Sequence, residues 1–202
     1  DEFKMRTMGG GDGGGDDHKW HTDAEGMVLN GGRVTVSFER VHRIASGESN
    51  SLSLDVRLKS ERLPVPEYEL RNNRGFETLA LAPLGGPFDG ARVAVTEKSL
   101  DKNGNIFAAV MEGPKKGIFF ITRHDGFDIT DGDFLPNGDL LLLERRFNMA
   151  DGIAMRLLQI KGGDIEPGAT VGGEILLEAD LAYQIDNMEA LDVWQDADGA
   201  SR

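Results

Sequence analysis

Short runs in which apolar and polar residues alternate cover much of this chain, and this pattern is typical of half-buried β-strands. Residues 33–38 alternate regularly, and the Asn-Gly-Gly sequence at 30–32 favours a tight hairpin turn in front of them. The apolar runs 105–111 and 117–123 flank a loop that contains Gly-Pro-Lys-Lys. The pattern therefore predicts a series of antiparallel hairpins.

A continuous apolar run at 140–143 follows a Pro-Asn-Gly-Asp turn at 136–139. A run without alternation indicates a strand that is buried on both faces, and we expect 155–160 and 174–177 to complete its sheet. Helices are disfavoured, because the 27 glycines interrupt the windows that are long enough for one. The sequence thus predicts an all-β fold.

A short pattern recurs along the chain, with an acidic residue near its start and an acid-base couplet at its end. The opening acids lie about 50 to 60 residues apart, a spacing that suits one four-stranded blade of a β-propeller. We therefore expect a partial, β-propeller-like fold with about three and a half four-stranded blades of a larger ring. The copies begin at Asp23, Gly75, Thr130 and Asn187, and the first three end at Arg40, Lys98 and Arg145.

The N-terminal residues 1–22 differ in composition from the rest of the chain. Residues 9–17 consist of six glycines and three aspartates, and such a segment has too little apolar surface to become ordered. We expect 1–22 to be a flexible Gly/Asp-rich segment. Residues 23–202 are then the propeller domain, which we expect to be truncated at both ends.

In a propeller, the same position of each innermost strand faces the central channel. The opening acids Glu25, Glu77, Asp131 and Glu189 would then converge at one mouth of the channel and repel one another unless a cation neutralises them. Carboxylate oxygens are ligands of Ca²⁺, so we expect these four residues to bind it. Such an ion polarises an ester or phosphoryl oxygen, or activates a bound water.

Glu25, Glu39 and His42 are the candidate catalytic residues of such a site. His42 follows the first copy of the pattern and would act as a general base if it reaches the channel mouth. The alternative is a surface position for His42, and the sequence favours it. No two histidines have the spacing of a helical zinc motif.

Arg40, Lys98, Arg145 and Arg146 are the candidates to hold the phosphate or carboxylate of a small anionic ester substrate. The recurring acids and bases also have a second interpretation. The acids would accept backbone N–H bonds at strand ends, or pair with bases of the neighbouring blade, without any catalysis. The pattern leaves both interpretations open.

The formal net charge of −13 disfavours nucleic acid and anionic membranes as partners. The lack of cysteine excludes disulfides and thiolate metal sites. No apolar run is long enough to insert into a bilayer, and the Gly-x-Ser-x-Gly motif of α/β-hydrolases does not occur. The sequence does not indicate an oligomeric state.

Six stretches follow one another in the order found in a known family, namely 23–26, 36–44, 73–77, 130–138, 143–147 and 186–190. They resemble the bacterial phytase-like family, also named the esterase-like domain of phytase. The resemblance implies a β-propeller-like fold, hydrolysis of phosphate or carboxylic esters, and a periplasmic or secreted location. Thr78 and Ala190 depart from the family pattern, which favours glycine at both positions. A lactonase-like propeller hydrolase and a non-enzymatic propeller that binds a ligand or a protein are the alternatives.

Overall fold

The described part of the protein consists of β-strands, connecting loops and two short 3-10 turns. The computed structural model describes residues 4–7, 23–49, 55–72, 74–149, 152–196, 198–199 and 201–202. The 3-10 turns span Glu67–Glu69 and Gly162–Asp164. The predicted all-β fold is confirmed. The strands in chain order are β1 Lys4–Thr7, β2 Ala24–Asn30, β3 Arg33–Phe38, β4 Arg43–Glu48, β5 Asp55–Ser60, β6 Phe76–Leu81, β7 Arg92–Leu100, β8 Ile106–Val110, β9 Gly117–Ile121, β10 Asp128–Phe134, β11 Leu140–Asn148, β12 Gly152–Ile160, β13 Thr170–Val171 and β14 Glu174–Asp180.

These strands form three sheets, none of which closes on itself within the described residues. The strand order is β1-β5-β4-β3-β2 in the first sheet, β13-β9-β8-β7-β6 in the second and β10-β11-β12-β14 in the third. Each sheet contains a four-stranded antiparallel meander, and the first two sheets carry a fifth strand parallel to the fourth strand of the meander. The predicted hairpins around 30–32, 112–116 and 136–139 connect neighbouring strands of the meanders.

The first strands of the three meanders pack side by side at the centre, with β6 between β2 and β10. A large buried cluster joins the second and third sheets and includes Ile106, Phe119 and Leu142. A second cluster, which includes Ile44 and Phe76, joins the first and second sheets. Removal of these apolar surfaces from water holds the sheets together. This arrangement of meanders around their first strands fits a propeller-like fold.

Individual strand predictions agree with the structure. The run 33–38 coincides with β3, and 140–143 form the start of β11, where all four leucines are buried. The segments 155–160 and 174–177 lie in β12 and β14 of the same sheet. A strand that reads as wholly apolar is thus covered on both faces, as expected for an inner strand.

The N-terminal segment is described in part. Lys4–Thr7 of the predicted flexible segment 1–22 form β1, and the glycine- and aspartate-rich residues 9–17 lie outside the described residues. Among the helical segments that the structure describes, none has the length and apolar character that a membrane span requires.

Gly132 allows β10 to lie close to both β11 and β6. A Cβ atom at this position would lie 2.8 Å from the Leu141 carbonyl oxygen and 3.2 Å from the Thr78 methyl group. We expect Gly132→Ala to lower the free energy of unfolding by about 1–3 kcal/mol, because a packed interior cannot accept an added methyl group without a backbone shift. Urea denaturation measures this loss.

Gly163→Ala is the matched control, since nothing lies within 4 Å of a Cβ atom built there. Its free energy of unfolding should stay unchanged or rise slightly, because alanine restricts the unfolded chain more than glycine does. Equal losses in both variants would contradict the close approach of β10 to its neighbours.

Candidate functional site

The first hairpin of each meander has one irregularity, and it occurs at a corresponding place in all three. The pairing register shifts once at 24–27 in β2, once at 76–78 in β6 and once at 129–131 in β10. A β-bulge of this kind interrupts the regular alternation and re-aims the side chain at the bulge. The residues directly after the last regular pair are Glu25, Glu77 and Thr130.

The second strand of each hairpin places a charged residue beside the bulge. These residues are Glu39, which directly follows β3, Glu97 in β7 and Arg145 in β11. The backbone N–H of Glu39 donates to the Asp23 carbonyl oxygen at 2.9 Å, and that of Glu97 donates to the Gly75 carbonyl oxygen at 2.8 Å. Glu39 and Glu97 therefore occupy equivalent positions in their sheets.

These six side chains and one residue of the C-terminal segment surround a cavity of about 210 Å³. They meet because β2, β6 and β10 lie side by side, so that corresponding positions face the same space. The wall contains five carboxylates, one guanidinium and one hydroxyl group. We refer to it as the acidic cavity, and its lining residues are Glu25, Glu39, Glu77, Glu97, Thr130, Arg145 and Glu189.

The segment 187–193 runs beside β10 and brings Glu189 to the acidic cavity. The carboxylates of Asp131 and Asp133 each accept a backbone N–H from this part of the chain, at 2.7 and 2.9 Å. Arg145 donates to the Glu189 carboxylate at 2.9 Å. Side chains of β10 and β11 thus hold a fourth piece of chain against the first strands.

Glu77 lies where the carboxylates are most crowded. Burial, and after it repulsion from Glu25, Glu97, Glu39 and Glu189, raises the pKa of the Glu77 carboxyl to about 9. Both causes disfavour the charged form, since a buried carboxylate loses its hydration and like charges repel. Without a cation, Glu77 therefore holds a proton at neutral pH.

Two neighbouring carboxyl groups are perturbed in the same direction. Burial is the largest cause that raises the pKa of Glu25, followed by repulsion from Glu39. Burial also raises the pKa of Glu97, followed by repulsion from Asp128, whereas Lys98 acts in the opposite direction. The acidic cavity as a whole therefore favours the uptake of positive charge, whether as protons or as a cation.

The spacing of the carboxylates fits a metal ion. Oxygen atoms of Glu39, Glu77 and Glu97 all lie within 4.8 Å of one another, and so do oxygen atoms of Asp23, Glu25 and Glu39. Both groups offer carboxylate oxygens alone, which are the hard donors that Ca²⁺ prefers. Because Glu39 belongs to both groups, the two are adjacent, and the donor set fits Ca²⁺.

Three of the four predicted metal ligands, Glu25, Glu77 and Glu189, come together in the acidic cavity. Asp131 instead lines a second cavity of about 260 Å³, which shares Glu25 with the first. Its carboxylate accepts two backbone N–H groups, at 2.7 and 2.8 Å. The register explains the difference, because the bulged residue of β10 is Thr130. Asp131 thus matches the interpretation in which the recurring acids accept backbone N–H bonds.

Of the four predicted substrate-binding residues, Arg145 lines the acidic cavity. Arg40 and Lys98 form ion pairs with aspartates, with N–O distances of 2.6 and 2.5 Å. The guanidinium of Arg146 lies over an aromatic ring, 4.8 Å from its centroid. These three cations have partners of their own beside the cavity, and their role in substrate binding stays a prediction.

His42 lines a different and larger cleft, of about 990 Å³, next to Arg92. Its ring packs against Gly75, where a Cβ atom would come within 2.6 Å of Nδ1. Both ring nitrogens are buried without a hydrogen-bond partner in the described part of the chain. Arg92 pairs with Glu61 and Glu112 across this cleft. A general-base role for His42 stays a prediction.

The other two candidate catalytic residues, Glu25 and Glu39, line the acidic cavity, and the structure adds Glu97 and Thr130 to them. The recurring pattern did not indicate these two residues, because its copies are aligned on their acids and not on the bulges. Alignment on the apolar residue that precedes each bulge would have matched Thr130 with Glu77.

The fold and the site define an all-β protein with a carboxylate-lined cavity among three sheets. The chain belongs to the phytase-like family, described as having the esterase-like activity of phytase, and the family model matches residues 4–202. The resemblance seen in the sequence is confirmed, and it indicates a hydrolase-like function at the level of the family. No curated protein and no solved structure matches the chain.

The stability of the metal-free protein should depend on pH through Glu77. The pKa of this carboxyl rises from its ordinary value of 4.5 to about 9 on folding, so the folded protein binds more protons than the unfolded chain between these values. The free energy of unfolding should therefore fall as the pH rises through this window. Urea denaturation with a chelator, at about pH 5 and about pH 8.5, measures the decline.

Glu77→Gln should flatten this decline and be more stable than the wild type at the higher pH. Glu166→Gln is the control, because its carboxylate is exposed and pairs with Lys115, and its pH profile should follow the wild type. A Glu77→Gln profile parallel to the wild type would show that Glu77 ionises normally.

Proposed function

We propose that this protein is a metal-assisted hydrolase of phosphate or carboxylic esters, and that the acidic cavity is its active site. The observation that carries this proposal is the convergence of five carboxylates and one guanidinium on a single space of about 210 Å³. Like charges that lie close together repel one another and lower stability, so a fold that needed only strand ends and ion pairs would not gather them. Membership in a family with esterase-like activity supports the reaction class.

Ca²⁺ is the cation that best suits these ligands. Glu39, Glu77 and Glu97 would hold it, with Glu25 and Glu189 on the remaining sides of the cavity. When bound, the ion would neutralise the carboxylates and polarise an ester or phosphoryl oxygen. Glu77 gives up its proton on metal binding, because a carboxylate ligand must be deprotonated.

Glu25 is the candidate general base of the proposed reaction. Glu25 is an exposed residue of the cavity wall, and partial burial of its carboxyl, followed by repulsion from Glu39 and Asp23, raises its pKa. A base whose pKa lies closer to neutral accepts a proton from an attacking water more readily. Glu39 lies beside Glu25 and belongs to both carboxylate groups, so it would position the base relative to the ion.

Arg145 would hold the anionic part of the substrate. Among the described lining residues of the cavity it is the one cation, and Glu189 and Asn187 fix its guanidinium. A guanidinium binds phosphate or carboxylate through two parallel N–H groups. The Thr130 hydroxyl lines the same cavity and is hydrogen-bonded to the Met188 carbonyl oxygen at 3.1 Å. A small anionic ester is therefore the proposed substrate class.

We further infer that the three sheets are blades of a larger propeller ring. The side-by-side packing of β2, β6 and β10 supports this, and the segment 187–193 extends the series as the start of another blade. A periplasmic or secreted location belongs to the same proposal, because it follows from the family resemblance. The net charge of −13 agrees with a partner that is neither nucleic acid nor an anionic membrane.

A non-enzymatic binding module is the second candidate, and the ion pairs between sheets favour it. Lys98 of the second sheet pairs with Asp128 of the third at 2.5 Å. Arg92 pairs with Glu61, next to the first sheet, at 3.1 Å. Such pairs join sheets without any chemistry. A binding module would take a cation in the acidic cavity but turn over no ester, so turnover separates the two candidates.

Ca²⁺ binding should release protons. At about pH 7 we expect calorimetry in buffers of different ionisation enthalpy to give about one proton released per ion, because Glu77 is protonated in the metal-free protein. The free energy of unfolding should rise by about 2.7 kcal/mol when free Ca²⁺ is a hundredfold above its Kd. No thermal response to Ca²⁺ would contradict the metal site.

Glu97→Gln should weaken Ca²⁺ binding at least about tenfold, since it replaces one of the two carboxylate oxygens with an NH₂ group and removes one negative charge. Glu166→Gln, exposed and remote from the acidic cavity, should bind as the wild type does. Wild-type affinity in Glu97→Gln would place any bound ion outside the acidic cavity.

Hydrolysis of an aryl phosphate, an aryl ester and a lactone tests the reaction. Glu25→Gln should lower kcat by about 10²–10⁴ if Glu25 is the general base, and Arg145→Gln should mainly raise KM for the aryl phosphate. Arg57→Gln, an exposed position on β5, is the control and should leave both constants unchanged. Ca²⁺ binding without turnover of any of the three would favour the binding module.

A further inference from the structure

The cleft of about 990 Å³ that His42 lines lies between the first and second sheets. One wall is the segment 60–67, which leads from β5 towards β6, and the other is formed by Arg92 with the residues 110–112 and 116–118. Further blades of the proposed ring would lie beside the first and third sheets, on the sides that face away from the second sheet. The cleft therefore belongs to two neighbouring sheets of the described chain. We refer to it as the intersheet cleft.

The segment 60–67 forms a fixed wall of the intersheet cleft. Pro64 and Pro66 have no backbone N–H, so this part of the segment cannot continue β5 as a paired strand. Val65, between the two prolines, is fully buried in the cluster that joins the first and second sheets. The segment is thus anchored to the core but leaves open space beside it.

Arg92 connects the two walls. Its guanidinium pairs with Glu61 of the segment 60–67 at 3.1 Å and with Glu112 of the opposite wall at 3.0 Å. It also donates to the Thr35 hydroxyl of β3 at 3.0 Å. A site that is formed before its ligand arrives binds at a lower cost in conformational entropy.

The charge of the intersheet cleft differs from that of the whole chain. Four bases and three acids line it, whereas the chain contains 22 bases and 35 acids. Arg92 already pairs with two of the three acids. Arg62 and Lys116 are exposed, and their side chains form no ion pair within the described residues. Burial lowers the pKa of the Arg43 guanidinium, and an anion beside it would oppose this shift.

The intersheet cleft also presents apolar surface. Leu63 and Ile118 line it from opposite walls, and both pack against the cluster that joins the first and second sheets. Both side chains are half-buried, so a ligand can cover the area that is still in contact with water. The volume lies at the upper end of the range of roughly 300–1,000 Å³ that is usual for small-molecule sites.

We propose that the intersheet cleft is a binding site for a small organic carboxylate with an apolar body. Arg62 and Lys116 supply the positive charge that attracts and holds the carboxylate, and the apolar body lies against Leu63 and Ile118. The bases of the cleft exceed its acids by one, which matches a single negative charge. A phosphate monoester carries about −1.5 to −2 at pH 7 and fits this balance less well.

The intersheet cleft and the acidic cavity share no lining residue, so each can bind its ligand without the other. In the absence of Ca²⁺ the carboxylates of the acidic cavity repel anions. Binding of a carboxylate in the presence of a chelator therefore reports on the cleft alone.

Octanoate is the probe, and the full chain is titrated with it by calorimetry in the presence of a chelator. We expect saturable binding that weakens as the salt concentration rises. Octylammonium and octanol have the same chain without the negative charge and should each bind at least about tenfold more weakly. Acetate has the charge without the apolar body and should also bind at least about tenfold more weakly.

Nuclear magnetic resonance of the histidine rings locates the bound octanoate. The ring of His42 lines the intersheet cleft, so its signals should shift during the titration and follow the calorimetric binding curve. The ring of His124, which is not among the residues that line the cleft, should give unchanged signals.

A pair of double variants provides the matched comparison. Arg62→Gln with Lys116→Gln should bind octanoate at least about tenfold more weakly, because it removes two positive charges from the cleft. Arg57→Gln with Lys102→Gln removes the same charge at exposed positions outside the cleft and should bind as the wild type does. Circular dichroism of both double variants confirms that the fold is retained.

Four results would overturn the proposal. Absence of octanoate binding, or equal binding of octylammonium, would show that the cleft does not select an organic anion. Wild-type affinity in Arg62→Gln with Lys116→Gln, or binding without a shift of the His42 signals, would place the octanoate elsewhere. Tighter binding of octyl phosphate than of octanoate would assign the cleft to phosphate monoesters and not to carboxylates.

Discussion

The side-by-side packing of β2, β6 and β10 is the constraint on which the site depends. Each of these strands bulges at a corresponding place, so the side chains at the bulges share one space instead of alternating between solvent and core. Two of these side chains are the glutamates Glu25 and Glu77, and the charge of Glu25 repels that of Glu77. The crowding raises the pKa of Glu77 and makes positive charge the natural complement of the cavity.

A buried ion pair explains why Arg145 is the basic residue that lines the acidic cavity. Glu144 and Arg156 are almost completely buried, and the Arg156 guanidinium pairs with Glu144 and stacks over Phe127 at 4.2 Å. Because Glu144 points into the protein, its neighbour Arg145 points to the opposite face of β11, towards the acidic cavity. In the third sheet, Arg145 occupies the position that Glu39 has in the first sheet. The couplet Glu144-Arg145 is therefore shifted by one residue relative to Glu39-Arg40.

The acidic cavity depends on the inner strands, where packing between sheets brings charges together. The acidic character of the chain favours a cation at the centre.

Local patterns in the sequence determined the strands. Alternation at 33–38, the wholly apolar run 140–143 and the glycine-containing turns each depend on neighbouring residues, so the all-β fold and most hairpins could be predicted. The recurring acids also led to Glu25, Glu77 and Glu189, which do meet. Tertiary structure alone decided that Thr130 lines the cavity and that Asp131 binds backbone N–H groups. A bulge shifts a strand by one residue, and its place depends on pairing with a distant strand, which local sequence does not encode.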